Sequence, residues 1–212
     1  MARKSNSKKS PNTKEAIKEI RLQGRGGQGI VTAGELLGKA AILEGKFAQS
    51  VPTFGPERRG ALSSCSLRIS NRLILLKCSA TTADVLCLLD PTIWRFVNIT
   101  AGFVENGLLI FNTTKSPEVV NEELRSGKYG YTVTTQNYSL FTVDATGIAL
   151  EIMGKAVTNT AMMGAFAKAT GLVQMESVES VLKGKFGNRA DINIRMATKA
   201  YEDLEGCVFS EK

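Results

Sequence analysis

Between Gly24 and Gly29 the chain reads Gly-Arg-Gly-Gly-Gln-Gly, a G-x-G-x-x-G pattern lying between two different hydrophobic periods. Upstream, Ile17, Ile20 and Leu22 alternate as in a strand; downstream, Ile30 to Ala41 has helical spacing. Glycine tolerates the backbone angles of a tight turn, and exposed N–H groups at a helix start favour an anion. A glycine pattern in this strand-to-helix setting predicts a βα unit able to cradle a phosphate.

A dinucleotide site would need a further residue. An Asp or Glu at the end of the second strand should hold the ribose hydroxyls, about 20 residues past the first glycine. Glu44 stands near that place, but in Leu43-Glu44-Gly45-Lys46, the stop of the first helix. The second strand is predicted over Phe47 to Val51 and runs into Pro52-Thr53-Phe54-Gly55, which holds no acid. An ordinary nicotinamide dehydrogenase is therefore disfavoured. The plainer alternative is that the glycines serve only tight strand-to-helix packing.

Along the rest of the chain, Leu62 to Ser70 alternates as a strand, with Arg72 to Leu76 as its expected hairpin partner around Asn71. Val85 to Leu89 is a continuous apolar run before Asp90-Pro91, the pattern of a buried parallel strand. Thr92 to Ala101 is expected as a helix, Leu108 to Phe111 as a strand and Glu118 to Arg125 as a helix. Short strands are expected near Tyr131 to Thr134 and Phe141 to Val143, and only helices from Ala145 onward. This order predicts an α/β fold: a central, mostly parallel sheet with flanking helices and a helical C-terminal portion.

The 212 residues suit one domain of ordinary size, residues 15–212, behind a basic tail. The net charge of +7 is concentrated: Arg3, Lys4, Lys8, Lys9 and Lys14 supply +5 in a segment with no acid. Residues 1–14 are read as disordered, and a nucleic-acid surface is unsupported. With no secretory signal and no apolar run of membrane-spanning length, a cytoplasmic protein without membrane partners is expected. Cys65, Cys78, Cys87 and Cys207 lie far apart with no C-x-x-C pair, so neither a cluster nor a disulfide framework is expected on this chain. It has no histidine, the commonest general base and metal ligand. No catalytic and no metal-ligating residue is assigned.

A second loop follows the first, Phe54-Gly55-Pro56-Glu57-Arg58-Arg59-Gly60-Ala61. The two in this order resemble the gamma subunit of the 2-oxoacid:ferredoxin oxidoreductases. The resemblance runs through Ala83 to Asp90, Gly107 to Asn112, Asp144-Ala145-Thr146 and the Asn159 to Ala165 segment, covering about residues 16 to 205. The Glu57-Arg58-Arg59-Gly60 form looks most like the pyruvate-type branch. The resemblance implies an acyl-coenzyme-A-forming oxidative decarboxylation. Thiamine diphosphate, Mg2+ and [4Fe-4S] clusters would sit on alpha-, beta- and delta-type partner subunits, ferredoxin would accept the electrons and coenzyme A the acyl group.

This chain's expected share is architectural, completing a shared site through Gly24, Gly26, Gly27, Gln28, Gly29, Thr53, Gly55, Glu57, Arg58 and Arg59. Gln28 both donates and accepts, so it suits holding a loop or a substrate carbonyl. The forks of Arg58 and Arg59 suit phosphate or carboxylate; they face coenzyme A, or they pair with Glu57 and a partner's acids. A freestanding nucleotide-binding oxidoreductase and a non-catalytic assembly protein are the competing classes.

Overall fold

The structure, a computed structural model, describes residues 17–54, 61–76, 78 and 80–210. Its strands are β1 (Lys18–Arg25), β2 (Phe47–Phe54), β3 (Leu62–Ser70), β4 (Ala83–Leu88), β5 (Phe103–Asn112), β6 (Tyr138–Val143) and β7 (Glu205–Phe209). Its helices are α1 (Ile30–Leu43), α2 (Pro117–Arg125), α3 (Ala145–Met153), α4 (Asn159–Thr170), α5 (Met175–Phe186) and α6 (Ala190–Glu202). All seven strands form one sheet in the order β2-β3-β1-β4-β5-β6-β7. β1, β4, β5 and β6 form a parallel block, while β3 and β7 run against their neighbours. The expected α/β fold, a mostly parallel central sheet with flanking helices, is therefore what forms.

The period-two alternation of the central strands divides the interior into two cores. Val85 and Cys87 of β4 face one side with α1, α3, α4, α5 and α6. Leu86 and Leu88 face the other, with Trp94, Phe111 and the α2 residues Val120 and Leu124. Covered on both faces from Val85 onward, β4 is apolar there, which explains the unbroken run. Helix packing in the larger core is close: a Cβ on Gly164 of α4 would collide with the Ala197 carbonyl of α6. Toward the β2 edge the second face turns polar, and buried Arg68 donates to Glu19 Oε1 at 3.0 Å and Gln49 Oε1 at 2.9 Å. Cys65 and Cys87 are buried core residues, and burial pushes the Cys87 thiol up to about 12.

Five expectations are corrected. Arg72 to Leu76 forms no strand. Both edges of β3 are already taken, by β2 and β1, leaving no ladder for a third partner. Thr92 to Ala101 holds only a 3-10 turn at Ile93–Arg95. There Asn98 Oδ1 accepts from Thr100 N at 3.0 Å and Thr100 Oγ1 at 2.9 Å, a local bond that competes with helix. Tyr131 to Thr134 is not a strand; Val133 is buried in the second core, and the Tyr131 hydroxyl donates to the Trp94 carbonyl. Finally, β7 follows the helices and pairs antiparallel with β6. β2 also extends past its expected end to Phe54, with Pro52 accommodated because β2 is an edge strand.

Candidate functional site

β1, β2, β4, β5 and β6 point the same way, so their C-terminal ends share one edge of the sheet. Open α/β sheets bind ligands at that edge. The register places Phe54 opposite Ser63 and Ser63 opposite Gly24, so the exit of β2 lies level with the glycine turn. Gly26 N donates to Ala61 O at 2.9 Å, tying the turn to the residue that leads into β3. The ends of the two loops are thus adjacent. Thr53 is exposed at the end of β2. Gly55, Glu57, Arg58 and Arg59 lie outside the described residues.

The turn is built for glycine. Gly27 has φ 97° and Gly29 φ 76°, left-handed values that strain any L side chain. Gly29 caps α1, its carbonyl accepting from Ala33 N at 2.9 Å. A Cβ there would also lie 2.5 Å from Asn159 Nδ2. A Cβ on Gly24 would lie 2.6 Å from Gln28 Oε1.

Gln28 holds the loop. Its Oε1 accepts from Arg25 N at 2.7 Å, and its Nε2 donates to Asp90 Oδ2 at 2.8 Å. Asp90, immediately beyond β4, also accepts from Thr92 N at 2.9 Å and Thr92 Oγ1 at 2.6 Å, and pairs with Arg25 Nε at 3.3 Å. Burial works to raise the Asp90 pKa. The Thr92 bonds, the Gln28 amide and the Arg25 charge outweigh it and hold the carboxyl below its ordinary range. Asp90 is thus a fixed acceptor, poorly suited to donate a proton. Since Arg25 offsets it, the turn presents little net side-chain charge of its own.

Further along the edge, Asn112 Nδ2 donates to Leu89 O at 2.7 Å and Thr146 Oγ1 at 2.9 Å, and Thr146 N returns a bond to Asn112 Oδ1 at 3.1 Å. Asp144 caps α3 by accepting from Gly147 N at 2.8 Å. Glu44 Oε2 pairs with Lys46 at 2.8 Å, and Glu44 Oε1 accepts from Gln174 N at 2.7 Å, so it braces the end of α1 far from any ribose position. The sequence reading missed Asp90 and Thr92 as partners of the turn. An acid directly after the apolar run Val85 to Leu89 was the available signal.

The family model described as "Pyruvate ferredoxin/flavodoxin oxidoreductase" matches residues 19–203. The chain is 47% identical over 188 residues to the "Pyruvate/ketoisovalerate oxidoreductases common subunit gamma" of Pyrococcus furiosus, covering 88% of this chain and 97% of that one. It is 40% identical to the "Pyruvate synthase subunit PorC" of Methanocaldococcus jannaschii, over 88% of this chain and 96% of that one. Among solved structures, the pyruvate oxidoreductase subunit PORC of Thermotoga maritima superposes with a TM-score of 0.75 at 32% identity, covering 90% of this chain and 98% of that one.

Proposed function

The chain belongs to the pyruvate ferredoxin/flavodoxin oxidoreductase family, and from that premise we propose how it serves the reaction. It acts as the gamma subunit of a multisubunit pyruvate:ferredoxin oxidoreductase and completes the region where coenzyme A meets the active site. The observation that carries this reading is the match, over nearly the full length of both chains, to a subunit named gamma in pyruvate and ketoisovalerate oxidoreductases. Thiamine diphosphate, Mg2+ and [4Fe-4S] clusters belong to alpha-, beta- and delta-type partners, and electrons leave through them to ferredoxin. The absence of histidine from the sequence supports this division, because the chain lacks the usual proton-transfer group. The complex works in the cytoplasm, and residues 15–212 form one domain behind the basic tail.

In this reading the glycine turn is a rigid brace. Gln28 and Asp90 fix its shape, and the Gly26–Ala61 bond transmits that shape to the neighbouring segment. Arg58 and Arg59 then provide the fork-shaped donors for the coenzyme A phosphates. Reconstituting the complex with and without this chain tests the proposal. Pyruvate- and coenzyme-A-dependent ferredoxin reduction should require the chain. Full turnover by the partner subunits alone would reject it.

A further inference from the structure

A cavity of about 530 Å3 opens on the helical face, where the end of α3, the α3–α4 connection, α4, the end of α5 and the start of α6 meet the first turn of α1. That volume falls in the range of small-molecule sites, roughly 300–1,000 Å3. Lys155, Lys185 and Arg189 line it from three separate segments, and no acidic residue does. Among the described residues, none of these three cations takes part in an ion pair. Val157 and Phe186 add apolar wall. All three cations are exposed and so are available to a bound anion.

Asn159, 6% exposed, forms the cavity wall toward Gly29 of the glycine turn.

We infer that this cavity binds a phosphorylated small molecule, held by Lys155, Lys185 and Arg189. The inference goes beyond the coenzyme A reading of Arg58 and Arg59 and stands or falls separately from it.

Inorganic pyrophosphate, titrated into the full chain by calorimetry at low salt, is the probe. One site per chain is expected. K185Q and R189Q should each weaken binding by about tenfold, the loss of one charge-assisted contact. Without ligand, their melting temperatures should stay near the parent's, as for ordinary exposed substitutions. R58A/R59A should bind pyrophosphate like the parent chain, which separates this site from the proposed coenzyme A contact. ADP and coenzyme A as competitors then distinguish sources. Displacement by coenzyme A names the reaction's own co-substrate, whereas displacement by ADP but not coenzyme A names a separate nucleotide; both support the site. No pyrophosphate binding, or binding indifferent to K185Q and R189Q, overturns the inference.

Discussion

Replacing Asp90 with alanine removes the acceptor on which the glycine turn is fastened. Three donors lose their partner: Gln28 Nε2, Thr92 N and Thr92 Oγ1. The Arg25 guanidinium also loses its counter-charge, but that side chain is 40% exposed and regains water. Hydrogen bonds to a charged group contribute about 1.5–3 kcal/mol each when buried. Thr92 and Gln28 are only half-buried, so their stranded donors are partly rehydrated. The net cost of D90A should therefore be about 2–4 kcal/mol, below the simple total. For a chain of this size that lowers the thermal midpoint by roughly 5–15 °C. D90N keeps an acceptor without the charge and should cost about half as much.

The pH dependence provides a separate check. The Asp90 pKa is lowered in the folded state from an ordinary 3.8, so its contribution is complete above that value and is lost as pH falls through the lower, folded one. The stability gap between the parent chain and D90N should accordingly close below about pH 4. Urea unfolding across pH 3 to 7 measures both effects. A D90A variant within about 0.5 kcal/mol of the parent at pH 7 would refute the brace, since that is the range of an ordinary surface substitution. A double-mutant cycle of Q28A with D90A should show coupling of about 1 kcal/mol or more.

Other consequences follow from single contacts. Gly29→Val should cost several kcal/mol, on the order of the strain at a left-handed position plus the collision with Asn159, and should lower the yield of soluble protein. Gly164→Ala should destabilise by about 1–3 kcal/mol in urea because α4 and α6 leave no room for a methyl group. Trp94, the sole tryptophan, is fully buried with Nε1 donating to Pro91 O at 2.9 Å. Its fluorescence should be blue-shifted in the native state and move to the red when the second core opens. Deleting residues 1–13 should leave the melting temperature unchanged, since that segment supplies charge and almost no apolar side chain.

The elements visible in the sequence were those whose pattern follows from burial. β4 is covered on both faces and apolar from Val85 onward, and β3 alternates because its two faces differ. Elements set by competition for partners were not visible. Leu73, Leu75 and Leu76 have the composition of a strand, but β2 and β1 already occupy both sides of β3. The segment after Pro91 has helical apolar spacing, but Asn98 bonds locally and Phe96 remains 75% exposed. At the site, the glycine pattern announced the turn because its φ values demand glycine. Asp90 was hidden because its role depends on β4 lying beside β1, a neighbour relation that no local pattern encodes. The β7 strand was hidden for the same reason, since its pairing with β6 spans the whole helical segment.

The central claim is that this chain contributes to the coenzyme A region of a shared active site, and steady-state kinetics of the reconstituted complex test it most directly. Losing one phosphate-binding arginine costs about 1.5–3 kcal/mol. Arg58→Ala or Arg59→Ala should therefore raise the Michaelis constant for coenzyme A by about tenfold or more, with iron–sulfur content unchanged. Unchanged coenzyme A kinetics in both variants, with a complex that dissociates more readily, would make the pair interface residues and contradict the account.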